Sequence, residues 1–165
     1  KKSDVDYLYE WASRTDFPLR RAPTAVGYSN KDIHFCWLKA IYRNGAIGGV
    51  RKSVVGDERA QQILDQEEVI FATVSVFDAG TQLNPHRDPP VYGKKYRRIQ
   101  IPLYIPSDEC YMVWEGKKVF WKEGEPQVYD VMDHIHEGYN LSDDIMMFLF
   151  VDIEKRDDNS NLQEV

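Results

Sequence analysis

Three of the four histidines in this chain of 165 residues lie in its second half, at positions 86, 134 and 136. The segment NPHRDPP places His86 and Asp88 two residues apart. In an extended segment, residues two apart project from the same face, so the imidazole and the carboxylate can converge on one ion. This spacing predicts two metal ligands, and a third must come from elsewhere in the chain.

His136, in the segment DHIHEGYN, is the candidate third ligand. Two histidines and one carboxylate leave open coordination positions, a set that suits Fe(II) activating O₂ beside a bidentate cosubstrate. Two alternatives remain open: the same residues also build catalytic zinc sites, and an isolated H-x-D pattern occurs by chance. His134 could face the site, support it, or lie in a solvated loop.

The residues that must position these ligands change in character at residue 69. Six short β-branched and aromatic runs separated by turn residues predict strands that form a sandwich or barrel. Glu115-Gly116-Lys117 predicts a hairpin turn, and Pro102, which has no N–H, predicts an edge or a bulge in its strand. The six runs are VIFATVSVF, RRIQIPLYIP, CYMVWE, KVFWK, PQVYDV and IMMFLFVDI.

The first part of the chain is more helical in pattern. Apolar spacing predicts an amphipathic helix over residues 4–14 and a short polar helix over 57–67, whereas residues 31–42 fit both a helix and a strand. Gly45, Gly48 and Gly49 mark turns. The predicted organisation is one domain over 1–153, with helical support over 1–68 and a β core over 69–153, followed by a polar mobile tail over 154–165.

Charge and composition limit the partners. The net charge of −6 would repel a phosphate backbone, so nucleic acid is not expected as a partner. Cys36 and Cys110 are the only cysteines and form no CxxC pattern, so neither a disulfide scaffold nor a cysteine zinc site is predicted. No apolar run suggests a membrane span or a signal peptide, which predicts a cytoplasmic protein. The oligomeric state is left open.

Several motifs occur together between residues 75 and 153: SVFDAGTQLNPH, RRIQIPLYIP, WKEGEPQVYD, HEGYN and FVDI. In this order they resemble the aspartyl/asparaginyl β-hydroxylase family of Fe(II)- and 2-oxoglutarate-dependent oxygenases. The resemblance implies a mainly β chain folded as a double-stranded β-helix, a cupin-like jelly roll, with a few N-terminal helices packed on the sheet. It also implies that O₂ converts 2-oxoglutarate to succinate while a C–H bond is hydroxylated.

The resemblance assigns roles to individual residues. His86 and His136 match the two metal histidines of the family. Ser75 matches a serine that hydrogen-bonds the distal carboxylate of 2-oxoglutarate, and Arg98 matches an arginine that lines the site. Gln100 stands where the family has a histidine near the cosubstrate. Without the resemblance, Ser75 would be an ordinary inward hydroxyl and Arg98 an exposed charge on a strand.

Two further positions depart from the family. Asp88 supplies a carboxylate where the best-known members have glycine, which restores the ligand found in most related oxygenases. Met146 stands where the family has the arginine that pairs with the distal carboxylate, and a thioether cannot replace that ion pair. Arg98, Arg51 and Lys95 are the candidate substitutes for the missing cation.

These features predict a hydroxylase acting on a carboxylate-bearing small molecule or peptide, such as an Asp or Asn side chain or a free amino acid. A second hypothesis is a jelly-roll module that binds metal or ligand and has lost both catalysis and 2-oxoglutarate use. A cupin-type enzyme with another metal is a third. An acidic substrate is favoured by basic residues near the predicted metal, although these could also form a solvated loop: Arg87, Lys94, Lys95, Arg97 and Arg98.

Overall fold

A computed structural model describes residues 2–22, 28–41, 46–91 and 93–155. The helices are α1 (Lys2–Ala12), α2 (Lys52–Val55) and α3 (Glu58–Leu64). The strands are β1 (Arg20–Ala22), β2 (Ile33–Ile41), β3 (Ile47–Val50), β4 (Val69–Phe77), β5 (Gln82–His86), β6 (Tyr96–Tyr104), β7 (Cys110–Trp114), β8 (Lys117–Phe120), β9 (Gln127–Tyr129), β10 (His136–Asn140) and β11 (Met146–Glu154).

The strands form two antiparallel sheets that face each other across a cavity. The larger sheet has the order β1-β2-β4-β11-β6-β9, with β3 beside β2, and the smaller sheet has the order β5-β10-β7-β8. Two facing antiparallel sheets with crossing connections are the jelly-roll arrangement. The mainly β fold with a few N-terminal helices is therefore confirmed.

The central strands of the larger sheet are buried on both faces. In β4, Ala72 and Val74 project to one side and pack with Leu8 of α1 and Leu64 of α3. Ser75 projects to the other side and lines the cavity between the sheets. Because successive side chains of a strand alternate between faces, one strand supplies both the helix-packed core and the cavity wall. This explains why its sequence reads as a nearly continuous apolar run.

The predicted elements agree well with the structure. The helices expected over 4–14 and 57–67 are α1 and α3, and all six predicted runs contain strands. The hairpin joins β7 to β8 with a left-handed conformation at Glu115 and Gly116. The bulge expected at Pro102 occurs as a register shift between β6 and β11.

Within residues 31–42, which fitted two patterns, residues 33–41 form strand β2, and residue 42 lies outside the described residues. This strand lies between β1 and β4, so Cys36 and Leu38 are buried on the helix side while Phe35 lines the cavity. The alternation of a strand places all three side chains, whereas a helix here would leave one edge of β4 unpaired.

The end of the chain is ordered as far as the structure describes it. Strand β11 continues to Glu154, and Lys155 pairs with Asp130 and Asp133. The rest of the predicted tail, residues 156–165, and the turn predicted at Gly45 lie outside the described residues. The turns predicted at Gly48 and Gly49 are wrong, because both residues lie in β3, which pairs with β2. No helix within the described ranges has the length and apolar character needed to cross a membrane.

Asp57 connects the two larger helices. As the N-cap of α3, its carboxylate accepts a hydrogen bond of 2.7 Å from the backbone N–H of Ala60. The Tyr7 hydroxyl of α1 lies 2.9 Å from both oxygens of the same carboxylate. A single side chain therefore caps one helix and anchors the other against it.

Replacing Asp57 should test this connection. We expect Asp57→Ala to lower the free energy of unfolding by about 1–2 kcal/mol, because the cap and the Tyr7 contact are both lost. Asp57→Asn is the matched control, since asparagine caps about as well as aspartate. Denaturant unfolding measures both variants, and an equal loss in the two would show that capping is not the cause.

Candidate metal centre

The register of the smaller sheet brings two predicted ligands together. His86 ends β5, and His136 begins β10 directly opposite it in the antiparallel pair. Their ring centroids are 4.3 Å apart, and Trp114 of β7 lies beside His136. Strand pairing thus places side by side two histidines that are fifty residues apart in the sequence.

Asp88 completes the group from the loop after β5. Its backbone N–H donates to Val131 O at 2.9 Å, which fixes the loop. Its Oδ1 lies 3.3 Å from His86 Nε2 and 3.6 Å from His136 Nε2. One ligand atom from each residue lies within 4.8 Å of the other two. The structure therefore assembles all three predicted ligands, with their side chains nearly buried.

Backbone carbonyls fix the tautomer of both histidines. His86 Nδ1 lies 2.6 Å from Asn84 O, and His136 Nδ1 lies 3.2 Å from His134 O. A carbonyl can only accept, so each Nδ1 carries the proton and each Nε2 presents a lone pair. Both Nε2 atoms and Asp88 Oδ1 are then acceptors facing one another. A cation between them would satisfy all three, and this donor set fits a divalent transition metal.

His134 contributes only its backbone to this group. Its side chain turns outward, where Nδ1 lies 2.7 Å from Glu115 Oε1 at the surface. Three roles were considered for His134. The structure supports one outside the ligand set, in which the backbone carbonyl of His134 orients the His136 ring.

Arg98 holds the third ligand in place. Its NH1 group donates to Asp88 Oδ2 at 2.7 Å, while Nε and NH2 donate to the two oxygens of Asp152 at 2.8 and 2.9 Å. The Tyr96 hydroxyl also lies 3.3 Å from Asp88 Oδ2. One oxygen of Asp88 is thus fixed by the protein, and the other is left to face the histidines.

These contacts also keep Asp88 ionised. Burial by itself would raise the pKa of Asp88, but its surroundings, led by the Arg98 guanidinium, hold that pKa well below its ordinary value. The pKa of Arg98 is raised above its usual value despite burial, because Asp152 and Asp88 both stabilise the charge. The site therefore presents a carboxylate, the form that binds a metal.

The ligands open onto a cavity of about 460 Å³ between the two sheets. Ser75 and Gln100, both predicted to contact the cosubstrate, line this cavity from β4 and β6. The Gln100 Oε1 atom accepts a hydrogen bond of 3.0 Å from Trp121 Nε1. That bond directs the amide, so its NH₂ group is the donor that Gln100 can offer to a bound molecule.

A family model for aspartyl/asparaginyl beta-hydroxylase matches residues 57–156. The chain belongs to this family. The match includes all three ligands, Ser75 and Arg98, and it begins at the N-cap of α3, well before the first motif noted in the sequence. Comparison with curated protein sequences gives no significant match.

Solved structures that are similar to this aspartyl/asparaginyl β-hydroxylase family member support the fold. An oxidoreductase of the 2OG-Fe(II) oxygenase family from Burkholderia pseudomallei is 12% identical, with a TM-score of 0.62 over 86% of this chain and 76% of that one. A predicted oxalate decarboxylase from Thermotoga maritima (13% identity, TM-score 0.51, 85% and 95% covered) and a cupin-2 domain from Rhodospirillum rubrum (10%, 0.52, 87% and 76%) are also similar.

The place of the family arginine is apolar in this family member. Met146 is buried and lines the cavity. Of the three candidate substitute cations, Arg51 and Lys95 do not appear among the described residues that line the cavity, and Arg51 donates instead to Trp37 O. Arg98 does line it, but three of its five N–H groups already bind Asp88 and Asp152. Its role as a cosubstrate ligand stays a prediction that rests on the remaining two.

Two site residues were not identified from the sequence. The Tyr28 ring stacks on His86 with centroids 3.7 Å apart, and burial raises the pKa of Tyr28 well above its ordinary value. Nothing in the segment around Tyr28 signals this contact. Asp152 gave a usable signal, because a carboxylate inside the apolar run FLFVDI needs a buried partner.

Measurements of metal binding should distinguish the roles of His134 and His136. We expect His136→Ala to weaken Fe(II) binding by more than about 100-fold, since losing even a group that supports a ligand costs about 10- to 100-fold. His134→Ala keeps the carbonyl that orients His136 and should bind Fe(II) as the wild type does. Anaerobic calorimetry measures both, and equal losses would place His134 in the ligand set.

Removing Arg98 while its buried partner Asp152 remains should destabilise the fold. We expect Arg98→Met to lower the free energy of unfolding by about 3–5 kcal/mol, because Asp152 is left buried without a partner. Adding Asp152→Leu should restore much of that stability. Arg97→Met, on the exposed face of the same strand, is the control and should change it by less than about 0.5 kcal/mol. A double variant as unstable as Arg98→Met would contradict this account.

Proposed function

We propose that this protein is an Fe(II)-dependent dioxygenase that couples oxidative decarboxylation of a 2-oxo acid to hydroxylation of a C–H bond. Family membership makes 2-oxoglutarate the first cosubstrate to consider. The observation that carries the proposal is the group of three inward-facing acceptor atoms, His86 Nε2, His136 Nε2 and Asp88 Oδ1, at the wall of a cavity large enough for an organic ligand.

The residues of the chain fit iron in particular. Two imidazoles and one carboxylate that leave open positions are the ligand set of non-haem Fe(II) oxygenases. Bound Fe(II) would supply adjacent positions for the 2-oxo acid and for O₂. Zinc is the competing metal for the same residues, and turnover of a 2-oxo acid distinguishes iron from zinc because zinc has no redox chemistry.

The residues of the protein hold and orient the predicted metal ligands and a molecule bound in the cavity. Asn84 O and His134 O keep the two imidazoles in the metal-binding tautomer, and Arg98 keeps Asp88 in place. The Ser75 hydroxyl and the Gln100 amide offer neutral hydrogen bonds to a carboxylate in the cavity. Aromatic side chains, among them Phe71, Trp121 and Phe150, line the cavity, and such a lining would limit the access of water to a bound molecule.

We also propose that the substrate bears a carboxylate. It would be an Asp or Asn side chain of a polypeptide, or a free amino acid. Arg87 follows the first ligand and is exposed, as is Lys95, so both can attract an acidic molecule. The other members of the basic cluster are engaged with carboxylates: Lys94 with Glu154, Arg97 with Asp130, and Arg98 with Asp88 and Asp152.

A second candidate function is a jelly-roll module that binds metal or ligand without catalysis. The specific observation in its favour is that Arg98 is the only cation among the described residues lining the cavity, and it is already paired. A module of this kind would bind metal through the same three residues but would not turn over a 2-oxo acid.

Turnover distinguishes the two candidates. With Fe(II), ascorbate and O₂, we expect the wild type to release CO₂ from carboxyl-labelled 2-oxo acids, tested with 2-oxoglutarate and with monocarboxylic 2-oxo acids. His86→Ala should abolish this release, whereas His34→Ala, a histidine that pairs with Asp78 outside the site, should not. Stoichiometric Fe(II) binding without CO₂ release from any 2-oxo acid would favour the module.

A further inference from the structure

The cavity changes character along its length. The inward side chains of β11 run from Asp152, beside Arg98, through Phe150 and Phe148 to Met146. Each step moves two residues along the strand, and the polar groups give way to rings and a thioether. The metal ligands lie at the Asp152 end, because Arg98 bridges Asp152 and Asp88.

The facing strands repeat this gradient. Opposite Phe150 on β6 is Gln100, while opposite Met146 on β4 is Phe77. On the smaller sheet, the pair His86–His136 is followed by Leu83 opposite Gly138. Apart from Glu137 beside Gly138, the side chains that line the end of the cavity remote from the metal ligands are therefore apolar on both sheets.

This remote end is also tightly buried. Phe77, Met146 and Phe148 belong to one apolar cluster and are 4%, 1% and 1% exposed. Ile33 and Leu83 pack against the same cluster and also line the cavity. A molecule that extends from the metal into this end would contact hydrocarbon, rings and sulfur.

A carboxylate at this end would have little to neutralise it. Among the described lining residues Arg98 is the sole cation, and it lies at the metal end with three N–H groups already used. On β4, Ser75 is the lining polar side chain next to Phe77, and it lies opposite Phe148. One neutral hydrogen bond does not offset the desolvation of a buried carboxylate, whereas an uncharged tail gains from burial.

We propose that the cavity takes a 2-oxo acid whose end remote from the oxo group is uncharged and apolar, either branched aliphatic or aromatic, in preference to the dicarboxylic 2-oxoglutarate. This inference rests on the proposed function, because it names the cosubstrate class of the same site. The head of such an acid would lie at the metal end, and the tail among Phe77, Met146 and Phe148.

The overall reaction stays balanced with this cosubstrate. The acid R–CO–COO⁻, O₂ and a substrate R′–H give R–COO⁻, CO₂ and R′–OH. One oxygen atom of O₂ enters the new carboxylate and the other enters the alcohol. Cleavage of the C–C bond supplies two electrons and oxidation of the C–H bond supplies the other two, so no further reductant is consumed.

Direct binding tests the preference without turnover. Mn(II) replaces Fe(II) in the full-length protein, which is titrated by calorimetry with 4-methyl-2-oxopentanoate, phenylpyruvate, pyruvate and 2-oxoglutarate. We expect the two acids with apolar tails to bind at least about tenfold more tightly than 2-oxoglutarate. They should also bind more tightly than pyruvate, which has the same head but almost no tail.

Changing Met146 should change the preference. Met146→Arg places a cation at the remote end and should raise the affinity for 2-oxoglutarate relative to 4-methyl-2-oxopentanoate by at least about tenfold. Met146→Leu keeps the apolar character and should leave the ratio of affinities unchanged. If circular dichroism shows that Met146→Arg does not fold, Met146→Gln and the wild-type titration decide the matter.

The outcomes separate this inference from the function on which it rests. Equal or tighter binding of 2-oxoglutarate by the wild type would overturn the apolar preference and leave the dioxygenase proposal intact. No binding of any 2-oxo acid to the metal-loaded protein would overturn both. Tighter binding of the apolar acids, reversed in Met146→Arg, would support both.

Discussion

Three lone-pair acceptors, His86 Nε2, His136 Nε2 and Asp88 Oδ1, converge at one wall of the cavity, and the surrounding structure is organised around that convergence. The pairing of β5 with β10 brings the imidazoles together, and backbone carbonyls fix their tautomers. Without a cation the three acceptors would repel one another, since each presents electron density to the same space. The energy that holds them there comes from the sheets and from Arg98, and a bound divalent metal would turn the unfavourable contact into a favourable one.

Arg98 links this requirement to the character of the cavity. It lies between two carboxylates, binding Asp152 with two N–H groups and Asp88 with a third. A buried guanidinium engaged in this way gives rigidity to the metal ligand but has little charge left for an incoming acid. With Met146 at the remote end, the interaction that fixes the ligand also explains why the cavity favours an apolar tail.

Much of this could be predicted because it depends on short-range patterns. His86 and Asp88 are two residues apart, so an extended segment is enough to place both side chains on one face. The composition of the runs after residue 69 predicts strands. The sequence did not decide between a helix and a strand for β2, because its apolar positions fit the periodicity of both. The strand becomes evident only when β4 is known to lie beside it. The pairing of Arg98 with Asp152, and the stacking of Tyr28 on His86, depend on register and loop paths that no local pattern encodes.

The most direct test of the metal centre is the position of the ion itself. Crystals grown without oxygen in the presence of Fe(II) can be measured at the iron absorption edge, and an anomalous difference map then locates iron independently of the protein structure. We expect one strong peak in contact with His86 Nε2, His136 Nε2 and Asp88 Oδ1. Iron bound elsewhere, or an ion-free site in which both imidazoles donate to Asp88, would contradict it.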